Sequence, residues 1–182
     1  MLFHGSPIKG LTVLTPHFSE HGRSCVYLSA NPVAAALYAV RPVGRPHSWY
    51  PYGFGKDGVL CYTEAYPNAL ADVYKGKRGY LYRCTPQCTL DSCPDIPFSY
   101  ISKDPVSVQA AEELPDVLAW LLLREAEGAF RVTRFFQLNT QQRSAIEKML
   151  EEEIQRYRLR EQPDCSYSRF LRERFPALWA RR

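Results

Sequence analysis

The sequence predicts an α+β fold, with a strand-rich region over residues 1–109 and a helical extension over residues 110–182. Several segments, such as Gly79-Tyr80-Leu81-Tyr82-Arg83-Cys84, alternate apolar and polar character over a strand's length. Little helix separates them, which favours an antiparallel or sandwich-like sheet over repeated βαβ units. After position 115 the composition turns helical, with apolar residues recurring at three- and four-residue spacing.

Residues 2–5 read as a short strand that Ser6-Pro7 ends, because proline lacks the donor a central ladder needs. A second apolar piece at 10–14 stops at Thr15-Pro16, and the polar stretch 17–24 reads as a loop. Val26-Tyr27-Leu28-Ser29 alternates as a strand should. Asn31-Pro32 then opens an Ala-rich helix over 33–40, with Asn31 as cap, Pro32 at the first position and Tyr38 in the last turn. Residues 41–58 combine prolines and glycines with Trp49, Tyr50, Tyr52 and Phe54, and a loop of this length is expected to cover a site as a lid or to pack on the core. Further strands are expected at 59–63, 79–84, 98–102 and 106–108, with a helical turn at 67–71.

Three helices follow. Residues 116–127 carry Val117, Leu118, Trp120, Leu121 and Leu122, with Gly128 as a stop. Residues 139–162 open with Asn139 and Gln142, a capping-box pattern, and place Ile146, Met149, Leu150, Ile154 and Tyr157 on one face. Residues 166–180 group Phe170, Leu171, Phe175, Leu178 and Trp179, with Pro176 as a break.

At 182 residues the chain can bury a substantial core without staples, and its 46% hydrophobic and 23% charged content is that of a globular protein. No run of eighteen apolar residues predicts a membrane span, and no secretory signal is read at the amino end. The six cysteines are therefore expected to be reduced thiols, and the location cytoplasmic. Cys84, Cys88 and Cys93 form C-x3-C-x4-C, which lacks the tight pairs and the fourth ligand of structural zinc. Of the net charge of +4, residues 156–182 hold eight arginines against three acids, a surplus of +5 that leaves the first 155 residues at −1. Such a tail has two readings, a contact for nucleic acid or an acidic partner, and a solvated helix face.

The chemistry-bearing stretch comes in two parts, Leu2-Phe3-His4-Gly5-Ser6 and the run from Cys25 to Tyr38. His-Gly-Ser behind two apolar residues, then Val-Tyr-Leu-Ser leading into a helix with a second Tyr eleven residues after the first, resembles the ADP-ribosyltransferase superfamily, in the branch of diphtheria toxin and the poly(ADP-ribose) polymerases. The resemblance covers residues 1–109 and implies an ADP-ribosyltransferase-like split β-sandwich that binds NAD. It further implies that His4 holds a ribose hydroxyl, that Gly5 and Ser6 meet the nicotinamide carboxamide, and that Tyr27 and Tyr38 sandwich the ring. Glycine permits the close backbone approach a carboxamide needs, and aromatic rings stack well on a cationic one. Many relatives place Ser where this chain has Ala35, and Ser29 is a substitute within reach of the sequence.

The family's third motif is a Glu at the start of a late strand, which stabilises the oxocarbenium-like state as nicotinamide leaves. In Ser99-Tyr100-Ile101-Ser102 that position is Ser99, and a hydroxyl supplies no negative charge. Three explanations stand side by side: Glu64, Glu112 or Glu113 reaches the site from another element, with Glu64 preferred; the chemistry needs no Glu; or the domain binds without reacting. The functions expected are accordingly NAD-dependent transfer of ADP-ribose to a macromolecule or to water, a nucleotide- or protein-binding module of the same fold, or a nucleic-acid contact through the basic helices.

Overall fold

The computed structural model describes residues 1–18, 24–41, 52–93 and 96–181. Its elements in order are β1 (Leu2–Ser6), β2 (Val13–Leu14), β3 (His17–Phe18), β4 (Ser24–Ser29), α1 (Pro32–Leu37), β5 (Tyr52–Phe54), β6 (Leu60–Thr63), α2 (Ala69–Tyr74), β7 (Gly79–Cys84), β8 (Asp91–Ser92), β9 (Ser99–Ser102), β10 (Val106–Leu114), α3 (Val117–Ala126), β11 (Phe130–Thr133), α4 (Thr140–Arg156), α5 (Ser166–Arg174) and α6 (Pro176–Ala180). The chain is α+β. A larger sheet runs in the order β2-β10-β7-β1-β4-β9-β8 with β3 also on β4, and a smaller one runs β11-β6-β5. The larger sheet is antiparallel at every pairing, whereas β11 runs parallel to β6.

The larger sheet is forked. β1 pairs with β7 along its whole length, from Leu2↔Cys84 to Ser6↔Tyr80, and β4 pairs with β9 from Val26↔Ser102 to Ser29↔Ser99. A single pair among the described residues, Phe3↔Ser29, joins the two halves. Beyond Phe3 the edge of β1 leaves β4.

Helix α1 lies on this junction. Asn31 caps it by accepting from the N–H groups of Val33 (2.9 Å) and Ala34 (3.0 Å), with Pro32 at the first position. Its five residues from Val33 to Leu37 are all buried. The helix rests on bare backbone: a Cβ at Gly5 would fall 1.8 Å from the Ala35 carbonyl oxygen, and one at Gly79 would fall 2.6 Å from both Cβ and O of Ala39. Two glycines on neighbouring strands and an Ala-rich helix above them are one packing solution.

The core has three parts. α1, α3 and the smaller sheet cover one face of the larger sheet, burying Leu37, Leu60, Leu81, Leu121 and Phe130. The opposite face gathers Leu2, Leu28, Tyr82 and Val106. The carboxyl-terminal helices close a third cluster, in which Leu150, Ile154, Phe170 and Leu171 meet Tyr66 and Ala69 at the start of α2. Tyr66 donates to Asp72 (2.6 Å), and Arg174 of α5 pairs with the same carboxylate (2.8 Å).

The structure departs from the sequence reading at several places. Tyr52–Phe54 is a strand and not part of a loop, His17–Phe18 pairs with β4, and Phe130–Thr133 forms the unforeseen β11. β10 continues to Leu114 and so runs through the boundary expected at 109, and β11 returns to pair with β6, so strands lie on both sides of that boundary. α4 stops at Arg156, short of the expected 162, and a tighter turn at Leu159–Glu161 follows. The break at Pro176 is where it was expected. Residues 42–51 of the expected lid lie outside the described residues.

Two substitutions test the packing. Gly5→Ala is expected to cost ~1–3 kcal/mol or more through overpacking against α1, whereas Gly53→Ala, where no described residue lies within 4 Å, should be close to neutral. Urea unfolding of both variants reads the difference. In the third cluster, Leu171→Ala should cost ~2–5 kcal/mol, and Arg174→Ala, which loses a partly exposed ion pair, under ~1 kcal/mol.

Candidate functional site

The site begins where the sheet forks. His4 Nδ1 lies 2.9 Å from the Tyr27 carbonyl oxygen, on the strand from which β1 has just separated. A carbonyl only accepts, so Nδ1 carries the hydrogen and, in the neutral ring, Nε2 is left as an acceptor. Burial is the main influence on the ring and lowers its pKa below the ordinary 6.5, the Tyr27 hydrogen bond opposes this, and the nearby His17 adds to it. His17 is on β3, paired with Cys25, and the sequence reading did not single it out. The fork thus holds a neutral imidazole of fixed tautomer.

Side-chain alternation sorts the rest. Phe3 and Gly5 face α1, and because Ser29 pairs with Phe3 and with Ser99, the residues Tyr27, Ser29 and Ser99 share that face. Tyr38, the C-cap of α1, ends the helix lying over it. The packing therefore brings Gly5, Tyr27, Ser29, Ala35, Tyr38 and Ser99 to one side of the sheet, whereas His4 alternates to the other face with Leu2 and reaches the Tyr27 main chain at the fork.

Beyond Tyr38 an aromatic row extends from the smaller sheet. The Tyr38 and Tyr52 hydroxyls are 3.1 Å apart, and the rings meet edge to face at 6.3 Å. Tyr52 contacts Phe54 edge to face at 6.4 Å, and Phe54 packs on Phe98 at 4.8 Å. Burial raises the Tyr52 pKa, the Tyr38 hydrogen bond opposes it, and Cys93 adds to the rise, so the phenol keeps its proton well into alkaline solution. Phe98 has φ of 59°, an uncommon conformation for its residue type. Its carbonyl accepts from Ala30 N–H (2.7 Å) and from the Ser29 hydroxyl (3.4 Å), which fixes the turn before Ser99. Of this row the sequence singles out only Tyr38 as a site residue, and the aromatic content of 41–58 is the signal for the rest.

Other expected residues have different uses. Gly5 is required by the approach of α1, whatever else its backbone contacts, and Ala35 is the residue it approaches. Ser6 accepts from Ile8 N–H at 3.2 Å, and Ser29 accepts from Asn31 N–H at 3.0 Å, so both hydroxyls brace turns. Glu64 is buried at 4% exposure. Its two oxygens accept from the N–H groups of Leu70 and Phe135, each at 3.2 Å, which ties β6 to α2 and to the turn after β11. Glu64, the preferred expectation for the acid, thus holds two main-chain segments together through its carboxylate. Glu112 accepts from the Trp120 indole at 2.9 Å, and Glu113 pairs with Arg78 (3.3 Å) and Lys9 (3.9 Å). None of the three acids has a described contact with His4, Tyr27 or Ser99.

Four of the eight arginines of the basic tail are engaged within the fold. Arg160 donates to the carbonyls of Trp179 and Arg181, Arg181 pairs with Glu147 (2.7 Å) and Glu151 (3.1 Å), Arg174 holds Asp72, and Arg158 lies 3.9 Å from Glu161. These contacts fold the tail onto α4 and α2. Burial raises the Cys84 pKa to about 11, so this thiol is inert at neutral pH. Among the described residues no group of three or more His, Cys, Asp or Glu could hold a metal ion, and no helix is long and apolar enough to cross a membrane.

Two measurements test these placements. Glu64→Gln leaves one acceptor for two buried amides and is expected to lose ~1–3 kcal/mol in urea unfolding; a neutral result would mean that the amides find other acceptors. For His4, a lowered native pKa means that the unfolded chain binds more protons as the pH falls through 6.5, so the stability held above that pH is lost below it. Between pH 7.5 and pH 5, roughly the window in which histidine titrates, the melting temperature of the wild type should therefore drop further than that of His4→Gln.

No protein-family model, curated protein or solved structure matches the chain.

Proposed function

We propose that this chain is an NAD-binding protein of the ADP-ribosyltransferase type, with an ADP-ribosyltransferase-like split β-sandwich as its fold. The observation that carries the reading is the His4 imidazole held by the Tyr27 carbonyl in the fork between β1 and β4. In that state Nε2 accepts a hydrogen bond, and a ribose hydroxyl is a donor of the matching kind. The edge of β1 after Phe3 has no Cα partner on β4 among the described residues, which leaves backbone at Gly5 for a carboxamide. Tyr27 and Tyr38 share the adjoining face and would flank the nicotinamide ring.

Bound NAD would supply a C–N bond between ribose and nicotinamide that breaks with its electron pair leaving on nicotinamide. An acceptor nucleophile from a macromolecule or from water would bond to the ribose carbon and release its proton to solvent. His4 would orient the ribose, and the two tyrosines would exclude water from the ring. Ser99, at the start of β9, can hydrogen-bond a hydroxyl but adds no charge.

A second reading, binding without transfer, is favoured by the acids: Glu64, Glu112 and Glu113 are each held by other partners. Calorimetry with NAD tests the common part. Wild-type binding weakened about tenfold by His4→Ala, the scale of one hydrogen bond, supports it, and binding indifferent to that change overturns it. Release of nicotinamide, followed by chromatography, then separates transfer from binding. Affinity should also fall as the pH drops through the His4 titration, because the protonated ring no longer accepts at Nε2.

A further inference from the structure

Tyr38 is anchored from below by α1, but its hydroxyl is met by a residue of the other sheet. We infer that Tyr52 is a specificity-determining positioning residue: through its hydroxyl it fixes the plane of Tyr38, and with Phe54 and Phe98 it forms a wall that selects a flat aromatic amide. This rests on the NAD reading of the same site and names the part of the ligand that the wall recognises.

A tyrosine at a helix C-cap is fixed at Cα, and its ring still turns about χ1 and χ2. A hydroxyl partner 3.1 Å away with an edge-to-face ring at 6.3 Å removes that freedom. Tyr52 is itself immobilised, since β5 pairs with β6 through Tyr52↔Tyr62 and its ring abuts Phe54. The row ends at Phe98, whose ring is packed on Phe54 and whose carbonyl is tied to Ala30 and Ser29, so a left-handed, non-glycine residue is held in place from two sides. Tyr38 and Phe98 are 38% and 49% exposed, so the row runs from one partly exposed residue to another. A preorganised aromatic edge discriminates between ligands that carry a planar ring and those that lack one.

The test compares NAD, nicotinamide and ADP-ribose binding to the wild type and to Tyr52→Phe, which keeps the ring and deletes the hydroxyl. Loss of about three- to tenfold in affinity for NAD and nicotinamide, the scale of one hydrogen bond, with ADP-ribose unchanged, supports the assignment. A merely structural role would weaken all three ligands alike, and an unchanged ratio of NAD to ADP-ribose affinity overturns it. Phe54→Leu, which shortens the wall without touching the hydroxyl pair, should lower nicotinamide affinity by a smaller factor, and no loss there overturns the wall. If the wild type binds NAD in a His4-dependent way while Tyr52→Phe is silent, only this assignment falls. If the wild type binds neither NAD nor nicotinamide, the NAD reading falls with it.

Discussion

The close approach of α1 to two stretches of bare backbone is the constraint on which the rest of the molecule depends. Gly5 on β1 and Gly79 on β7 let the carbonyl of Ala35 and the whole of Ala39 come down onto the sheet. That contact sets the height of the helix, and the height decides where its C-cap Tyr38 falls relative to β4 and β5. It also explains why every residue of α1 after the proline is small or aliphatic and buried. Side chains as short as alanine carry little apolar area, so the stabilisation comes from dense packing and the absence of voids.

The fork between β1 and β4 follows from the same contact. β1 is held by β7 on one side and by the helix above, while β4 is held by β9, and among the described residues the two halves are joined by the register pair Phe3↔Ser29 and by the His4–Tyr27 hydrogen bond. Where they part, the His4 imidazole is held by the Tyr27 carbonyl. On one side of the fork stand His4 and Tyr27, the groups that the proposed reading gives to a ribose hydroxyl and to a planar ring. On the other side stands Ser99, with hydrogen-bonding capacity and no charge, and the acids that could have compensated are engaged at a distance along the fold.

Much of the frame was legible in the residues. Asn31-Pro32 announced the helix start, Gly79–Cys84 announced its strand by alternation, and Asn139 with Gln142 formed the capping box that their spacing implied. Other elements escaped because local pattern does not encode partners. Phe130–Thr133 alternates as a strand does, but its meaning lies in a parallel pairing with β6, some seventy residues away in sequence, and no short-range signal carries that. Tyr52–Phe54 was hidden among glycines and prolines. Gly5 was legible as a position that needs a glycine, yet the neighbour that demands it proved to be a helix. Glu64 illustrates the general limit: a carboxylate at a strand end reads the same whether it faces a ligand or two buried amides, and only the tertiary fold distinguishes them.

The His4 ring has one further consequence. Where two strands part, the abandoned edge of each exposes main-chain donors and acceptors that can recruit a strand from another molecule. By taking the Tyr27 carbonyl, the imidazole occupies one such group with a side chain and interrupts the row of acceptors that an incoming chain would need. A side chain that caps a main-chain acceptor where two strands part thereby works against the addition of a further strand at that edge.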